Sequence, residues 1–369
     1  MPKPKILFIL PSLRYGGAER VVLNIVQNLD REKFESELAV FGSDGEYQDL
    51  VPKNIKFFDL KKRRARYAIL PLIKLIRKEK PDIIFGTIIQ VRIILSFIKK
   101  IFKIKGILVN RIEFFPSNTI YSDFENYLSI LSCRYSDYLI AISEGIKDDL
   151  VKNYKFKEEK IKLIYSPVDI ENIENLAEES VEEEYFSEKP VILSCGRLTE
   201  QKGFPYLIKA FFIILKEYPK AKLLILGKGE EEKELKNLIK NLNIENRVDF
   251  LGFQKNPYKF IVKADVFVLS SLREGLPGVL LEAMTCGCPV VSTDCQSGPS
   301  EILESGKYGI LVPVADSKAL AKGILKLLSN QKLREKFSRV GKERTKDFET
   351  KKIIRQYENF FLEILNKII

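Results

Sequence analysis

The chain has 369 residues, of which 45% are hydrophobic and 30% are charged; this excludes wholesale disorder and leaves room for two domains. It contains no histidine, which excludes every His-based triad, every His proton shuttle and the common zinc sites. The net charge is +11, and no stretch approaches the ~20 uncharged apolar residues of a membrane-spanning helix.

The chain opens with a predicted strand at residues 5–10, followed by a glycine-containing loop and a helix from about residue 18 to residue 29. Because glycines and a helical pattern follow at once, this apolar run is read as a buried strand and not as a secretion signal. Gly16 and Gly17 would let backbone approach a phosphate at the helix start, although many strand-to-helix turns contain such a pair. Further strands are predicted at 37–41, 82–86, 107–110 and 138–142.

Positive charge is concentrated in one segment of the first half. Residues 61–105 carry 14 basic and 2 acidic residues, and their cations alternate with Ile, Leu and Phe. Two interpretations remain open: amphipathic helices packed on a sheet with their cations in water, or contact with an anionic membrane surface. Nucleic acid is not expected as a partner, because no recognised binding module is present and few aromatic residues separate the charges.

The second half repeats the opening unit. A strand at 190–195 is followed by a loop at 196–203 and a helix at 205–217, with further strands near 222–226, 248–251, 265–269 and 289–293. Alternating strands and helices predict parallel sheets covered on both faces, here in two tandem Rossmann-like domains. The acidic stretch 171–189 is expected to be a solvated connection between them. An amphipathic helix is predicted at 352–368.

The five cysteines are odd in number and form no C-x-x-C pair. Apolar residues surround most of them, so they are interpreted as core thiols in a reducing cytoplasm.

Residues 274–302 (EGLPGVLLEAMTCGCPVVSTDCQSGPSEI) are the most informative stretch. Their spacing predicts Glu274 on a loop and Glu282 in the first turn of a helix, where backbone N–H groups are unpaired and favour a phosphorylated ligand. The alternative is a strand–loop–helix unit whose acids merely favour the helix dipole. Arg197 and Lys202 could reach the same space, or could be two solvated surface cations.

This stretch, the Gly196-Arg197…Lys202-Gly203 loop and the opening Gly-Gly-Ala-Glu-Arg resemble the motifs of the retaining family-4 glycosyltransferases. The resemblance implies the α/β GT-B fold, with two Rossmann-like, doubly wound parallel-sheet domains facing across a cleft. It implies an acceptor-binding domain of residues 1–168 plus a returning helix at 350–369, and a nucleotide-sugar-binding domain of residues 169–349.

The resemblance also implies roles for individual residues. Arg197 and Lys202 would grip the donor phosphates and stabilise the departing diphosphate, the kind of electrostatic stabilisation that is usually the largest catalytic contribution. Glu274 would face the donor sugar, and Glu282 would bond to the ribose hydroxyls. The remaining implied donor-binding residues are Gly16, Gly17, Leu276, Pro277, Gly278 and Val279.

The first half departs from the family pattern. Many members have a histidine near the reacting sugar carbon, and the matching region here, residues 109–117, has Glu113 as its only carboxylate. Glu113 is therefore a candidate catalytic or acceptor-contacting residue, the alternative being a surface loop acid.

The implied activity is that of a hexosyltransferase. It would move a hexose or N-acetylhexosamine from a nucleotide-diphosphate sugar, with a UDP-sugar as the expected donor, to a hydroxyl of a lipid-linked or polysaccharide acceptor. No metal or other cofactor is expected, because the chain has no Asp-x-Asp pair. The motifs at 252–259 (GFQKNPYK) and 298–302 (GPSEI) are similar to those of bacterial enzymes that extend polyprenyl-diphosphate-linked or lipopolysaccharide oligosaccharides. Such an enzyme would be cytoplasmic, on the inner face of the cell membrane.

Two other functions stay open at this point. One is a non-catalytic, nucleotide-sugar-binding partner subunit of a glycan-assembly complex. The other is a sugar-nucleotide epimerase or phosphorylase on the same scaffold; the absent histidines argue against an epimerase.

Overall fold

The structure is a computed structural model that describes residues 2–14, 16–62, 64–114 and 123–367. It divides into two compact units: unit 1 comprises Met1–Pro167 and Thr350–Ile369, and unit 2 comprises Val168–Glu349. The acceptor-binding and donor-binding labels of these units remain predictions.

The strands of the two units follow one another along the chain. They are β1 (Lys5–Leu10), β2 (Glu35–Val40), β3 (Lys56–Asp59), β4 (Ile83–Gly86), β5 (Ile107–Ile112), β6 (Tyr138–Ala141), β7 (Ile161–Leu163), β8 (Val191–Cys195), β9 (Lys222–Leu226), β10 (Val248–Gly252), β11 (Val266–Leu269), β12 (Val290–Thr293) and β13 (Ile310–Val312).

Helices connect these strands. They are α1 (Gly17–Asn28), α2 (Ala65–Glu79), α3 (Ile89–Phe102), α4 (Asp123–Arg134), α5 (Glu144–Lys152), α6 (Ile170–Ala177), α7 (Phe204–Ile214), α8 (Glu232–Asn241), α9 (Tyr258–Ile261), α10 (Gly278–Thr285), α11 (Pro299–Ile302), α12 (Ser317–Leu328), α13 (Gln331–Thr345) and α14 (Thr350–Asn366). No helix in the described part of the chain is long and apolar enough to span a bilayer.

The central strand of unit 1 shows why its sheet is covered on both faces. Ile6, Phe8 and Leu10 of β1 belong to a buried cluster that includes side chains of α1 and α14. Leu7 and Ile9, which point the opposite way, belong to another cluster with α2 and α3. A strand with period two that is apolar on both sides needs helices on both faces, as in doubly wound sheets.

The strand order places a switch point in each sheet. The strands of unit 1 pair in the order β3-β2-β1-β4-β5-β6-β7, and those of unit 2 in the order β10-β9-β8-β11-β12-β13. All described pairings are parallel, which confirms the predicted α/β, Rossmann-like architecture. The order reverses between β1 and β4 and between β8 and β11, where loops at the carboxyl ends of neighbouring strands bind ligands in this class of sheet.

The last helix belongs to the core of unit 1. Tyr357 and Phe361 of α14 are fully buried, and both rings pack edge-on against Phe85 of β4 with centroids 6.2 Å apart. The amphipathic pattern predicted at 352–368 thus forms a helix whose apolar side completes one face of the first sheet.

Two sequence-based expectations need correction. Strands β3, β7 and β13 were missed, and each is a short edge strand that is only partly buried. The acidic stretch 171–189 is not merely a solvated connection, because α6 covers its start. Asp169 caps that helix through the backbone N–H of Asn172, and Ile173 is buried.

Candidate functional site

The loops that follow β8 and β11 lie side by side in unit 2. The two strands are parallel neighbours, with Ile192 opposite Val266, so their carboxyl ends meet at one edge of the sheet. The Gln201 Nε2 atom donates to the carbonyl oxygen of Arg273 at 2.9 Å, and the Leu272 N–H donates to the Gln201 carbonyl oxygen at 2.8 Å. These bonds hold the two loops in a fixed register.

Gly203 lets the first loop approach the second. Its φ is +63°, and a Cβ at this position would lie 2.2 Å from the carbonyl oxygen of Ser270. The Ser270 hydroxyl in turn donates to the Lys202 carbonyl oxygen at 2.8 Å. A residue with a side chain at position 203 would therefore push the two loops apart and move Lys202.

Lys202 and Glu274 form a direct ion pair. The Lys202 Nζ and Glu274 Oε1 atoms are 2.6 Å apart, and the two side chains are 18% and 7% exposed. The Ser271 hydroxyl donates to the same Glu274 oxygen at 2.6 Å. Two of the four side chains predicted to hold the donor are therefore in contact, and the orientation of the carboxylate is fixed by two donors.

Helix α10 begins earlier than a first-turn place for Glu282 requires. Pro277 is extended and forms the N-cap, so Gly278 is the first helical residue. Glu282 is consequently in the second turn, and its predicted place in the first turn is wrong because the turn ends at Pro277 and the helix starts four residues before Glu282. In the described part of the chain the N–H groups of Gly278 and Val279 have no hydrogen-bond acceptor.

This helix start has room for a ligand. A Cβ added to Gly278 would have no atom within 4 Å. On the other side of the loop, Gly298 has a φ of +88°, and a Cβ there would lie 2.6 Å from Pro277 Cδ and 2.7 Å from the Gly275 carbonyl oxygen. Unpaired N–H groups at a helix start attract anions, so the start of α10 can bind a phosphate.

Glu282 is held by a residue that sequence reasoning did not assign to the site. The hydroxyl of Tyr258, whose side chain is buried, donates to Glu282 Oε1 at 3.1 Å. The sequence signal that points to Tyr258 is the Asn-Pro-Tyr sequence within residues 252–259, which is used above only for its similarity to other enzymes.

The half-buried thiol of Cys195, at the end of β8, links these groups. Desolvation, and after it the Glu282 carboxylate, raise the pKa of the Cys195 thiol, the Lys202 ammonium lowers it, and the net pKa is about 12. Glu282 and Lys202 therefore act electrostatically on one sulfur atom, while the thiol itself stays protonated and unreactive near neutral pH.

Arg197 is not brought into this cluster by contacts. It directly follows Gly196 in the loop after β8, and its side chain is exposed. Its side chain makes no ion pair or hydrogen bond to the described residues, so its role on the donor phosphates stays a prediction.

The glycine pair of unit 1 opens a helix, but a carboxylate already lies there. Gly17 is the first residue of α1, and Gly16 is its extended N-cap. A Cβ on Gly16 would lie 2.0 Å from an oxygen of Glu19. An anion at this helix start would share the space with a negative charge, which makes it a poorer phosphate site than the start of α10.

Glu113 lies at the end of β5 in a largely buried network. It accepts hydrogen bonds from Arg111 and, at 2.7 Å, from the Thr87 hydroxyl. Arg111 also donates to the Ser166 hydroxyl at 2.6 Å and to the Tyr357 oxygen at 3.2 Å. Since the Glu113 side chain is only 12% exposed, the alternative of a surface loop acid is wrong. The part of the 109–117 region after Phe114 is outside the described residues.

The basic segment 61–105 forms two helices of unit 1 that pack on one face of its sheet. The outer surfaces of α2 and α3 expose Tyr67, Leu70, Phe97 and Ile101 among their lysines and arginines. Arg92 is an exception, since it is buried and donates to the Ser129 hydroxyl at 3.0 Å. The basic–apolar surface is the name used below for Tyr67, Leu70, Phe97 and Ile101 together with the exposed lysines and arginines of α2 and α3.

No cluster of His, Cys, Asp or Glu able to hold a metal ion occurs among the residues that the structure describes. The independence from metals expected from the sequence remains a prediction.

Comparison with known proteins shows two family models that together span most of the chain. Residues 15–172 match the model described as Glycosyltransferase Family 4, and residues 177–344 match the model described as Glycosyl transferases group 1.

Similar proteins extend over most of this chain. An uncharacterized glycosyltransferase of Methanocaldococcus jannaschii is 34% identical over 350 residues, which cover 83% of this chain and 84% of the relative. The N-acetylgalactosamine-N,N'-diacetylbacillosaminyl-diphospho-undecaprenol 4-alpha-N-acetylgalactosaminyltransferase of Campylobacter jejuni is 31% identical and covers 97% of this chain and 99% of its own length. The structure of HepE from Anabaena in complex with UDP-glucose superposes with a TM-score of 0.85 at 22% identity, covering 97% of this chain and 99% of that one.

Proposed function

This chain belongs to glycosyltransferase family 4, and we propose that it transfers a hexose or N-acetylhexosamine from a UDP-sugar to a hydroxyl of a lipid-linked or polysaccharide acceptor, with retained anomeric configuration. The fold is GT-B, as the structural likeness to HepE shows. In the reaction the diphosphate leaves the anomeric carbon with the bonding electron pair, the acceptor oxygen forms the new glycosidic bond, and the proton of the acceptor hydroxyl is released with the nucleoside diphosphate.

The observation that carries the proposal is the contact of Lys202 with Glu274 beside the open start of α10. As the sugar leaves, the diphosphate gains negative charge, and Lys202, together with the N–H groups of Gly278 and Val279, would stabilise it. Arg197, whose side chain has no partner among the described residues, would add a second cation. Glu274 would accept hydrogen bonds from sugar hydroxyls, and Glu282 would do the same for the ribose.

Donor choice is supported by the comparisons. HepE was crystallised with UDP-glucose, and the Campylobacter relative is named for transferring N-acetylgalactosamine. We therefore propose a UDP-sugar as donor, and no metal ion as cofactor. Retention of activity in excess chelator would support the second statement, and loss of activity that only a divalent cation restores would contradict it.

Glu113 is proposed to contact the acceptor hydroxyl in unit 1. Arg111 and Thr87 hold its carboxylate at the carboxyl end of β5. Glu113→Gln keeps the shape of the side chain and removes its charge. We expect transfer to fall by roughly 10²-fold or more, as for other positioned proton acceptors, while hydrolysis of the donor changes less. An unchanged kcat for transfer would remove Glu113 from the reaction.

The acceptor is proposed to be lipid-linked because the Campylobacter relative is named for a diphospho-undecaprenol substrate. Access to such a substrate suits a chain bound peripherally to the inner face of the cell membrane. The basic–apolar surface offers cations for anionic headgroups, and aromatic and aliphatic side chains for the interface.

Vesicle binding tests the membrane proposal. We expect the protein to co-sediment with vesicles containing anionic lipid at low salt and to be released by high salt. Leu70→Ser should weaken binding, whereas Phe212→Ser, which changes an exposed apolar residue of unit 2, should not. Failure to co-sediment at low salt would contradict the proposal.

The proposed function itself is tested with a panel of UDP- and GDP-sugars. Thermal stabilisation would identify the donor, and NMR of the product would show whether the anomeric configuration is retained. Turnover of a UDP-sugar with retention is the expected result. Binding of a nucleotide sugar without hydrolysis or transfer would instead indicate a non-catalytic partner subunit.

A further inference from the structure

We propose that Tyr258 is a positioning residue that aims Glu282 at the ribose diol and thereby makes the enzyme prefer ribonucleotide over deoxyribonucleotide donors. This inference rests on the proposed function, because it assumes that a nucleoside diphosphate sugar is the donor. Tyr258 itself is not expected to touch the nucleotide.

The geometry begins with the hydroxyl bond. Tyr258 donates to Glu282 Oε1 at 3.1 Å from a ring that is 1% exposed. A glutamate side chain has several rotatable bonds, so an untethered carboxylate loses conformational freedom when it binds a ligand. A hydroxyl on a buried ring restricts the carboxylate before the ligand arrives.

The Asn-Pro-Tyr sequence explains why the ring is fixed. The Tyr258 N–H donates to Asn256 Oδ1 at 3.0 Å, and Asn256 Nδ2 donates to the Leu176 carbonyl oxygen of α6 at 2.7 Å. Pro257 forms the N-cap of the short helix α9. The segment is thus tied to a second helix, and the tyrosine hydroxyl has little freedom to follow a moving carboxylate.

The position of Glu282 fits a ribose and not the departing phosphate. It lies one turn beyond the N–H groups of Gly278 and Val279, which have no acceptor among the described residues and suit an anion. A carboxylate would repel that anion but accept hydrogen bonds from a pair of neighbouring hydroxyls. A carboxylate held in one orientation discriminates a diol from a single hydroxyl better than a mobile one, because it cannot turn to compensate for the missing group.

Nucleotide binding tests the proposal without knowledge of the sugar. Isothermal titration would give the ratio of Kd for dUDP to Kd for UDP, or the same ratio for dGDP and GDP if the enzyme prefers guanine. We expect wild type to bind the deoxynucleotide at least about tenfold more weakly, consistent with one lost hydrogen bond to a charged group. Tyr258→Phe should move this ratio towards one, and Glu282→Ala should bring it to one.

Three controls separate the possible outcomes. The double variant with Tyr258→Phe and Glu282→Ala should show the same Kd ratio as Glu282→Ala alone, because Tyr258 acts only through Glu282. Tyr218 has a partly buried ring in unit 2, and its hydroxyl makes no hydrogen bond to the described residues. Tyr218→Phe should therefore leave the ratio unchanged. If Tyr258→Phe does not fold, Asn256→Ala, which frees the Tyr258 N–H, should lower the same ratio.

The failures are distinguishable. A wild-type enzyme that binds neither UDP nor GDP would overturn the proposed function, and this inference with it. A wild-type preference for ribonucleotides that Glu282→Ala abolishes and Tyr258→Phe leaves intact would overturn only the role of Tyr258.

Discussion

Two pairs of a cation and a carboxylate lie at carboxyl ends of parallel strands, one in each unit, and their surroundings differ. In unit 2, Lys202 pairs with Glu274 beside N–H groups that have no acceptor among the described residues. In unit 1, Arg111 pairs with Glu113, and its other nitrogens bond to Ser166 and Tyr357. The first pair has unused hydrogen-bonding capacity for a ligand, whereas the cation of the second is occupied by the protein.

This difference predicts separate consequences when each cation is removed. Lys202 is 18% exposed and would act mainly on a bound donor, while Arg111 is 1% exposed and would act mainly on folding. Burial raises the pKa of the Tyr357 hydroxyl, which therefore stays neutral and can accept from Arg111 without adding a second charge.

The largest effect is expected from Arg111→Met. It leaves Glu113 in a mostly buried place without its cation, and removing one partner of a buried ion pair costs about 3–5 kcal/mol of unfolding free energy. Calorimetry should show a Tm lowered by roughly 6–20 °C. Arg77→Met, on the exposed side of α2, is the control and should leave the Tm unchanged. An Arg111 variant as stable as wild type would contradict the statement that Arg111 acts mainly on folding.

Lys202→Ala should reverse that pattern. We expect kcat to fall by roughly 10²–10³-fold, as when one charge-stabilising donor is lost, with a much smaller change in Tm. Arg197→Ala should lower kcat in the same range. Lys209→Ala, an exposed lysine on α7, provides the control. Near-normal turnover in the Lys202 variant would show that the Lys202–Glu274 pair, like the Arg111–Glu113 pair, serves the fold and not the reaction.

Gly298→Ala sharpens the comparison because it displaces the donor loop without substituting either Lys202 or Glu274. Its added Cβ would clash with Pro277 Cδ and the Gly275 carbonyl oxygen. A shift of about 1 Å in a positioning loop can cost about 10²-fold in rate, so kcat/KM should drop by at least about tenfold. Gly306→Ala has a similar positive φ of +99° but its nearest new contact is 3.7 Å away, and kcat/KM should change less.

The smallest effect is expected from Cys195→Ala. Glu282 raises the pKa of the Cys195 thiol and Lys202 lowers it, yet the resulting pKa of about 12 keeps the thiol protonated. The variant should retain most of the wild-type kcat, and the wild-type thiol should resist alkylation at neutral pH. A large loss of kcat with an unchanged Tm would mean that the thiol contacts the donor.

Most of the fold followed from hydrophobic periodicity, because central strands such as β1 and β8 are apolar on both faces. Three of the four edge strands, β3, β7 and β13, were missed, since a strand with one paired side needs no continuous apolar run; β3, with the sequence KFFD, is exposed at its first two residues. The start of α10 was placed too late, because the conformation of Pro277, which makes Gly278 the first helical residue, depends on the loop around it.

The candidate site was predictable only where short motifs carry it. Lys202, Glu274 and Glu282 lie in recognisable stretches, whereas the bond between Tyr258 and Glu282 joins residues of separate motifs. The network around Glu113 was beyond sequence reasoning, because Arg111 and Tyr357 are 246 positions apart and meet only when α14 packs on unit 1. Nothing in the local sequence around Arg111 indicates such a partner.

The most direct test is a structure of the protein with UDP bound. We predict that its diphosphate lies within hydrogen-bond distance of the Lys202 Nζ atom and of the Gly278 and Val279 N–H groups, and that its ribose hydroxyls meet Glu282. A diphosphate bound elsewhere, with the ion pair between Lys202 and Glu274 facing only water, would contradict the account.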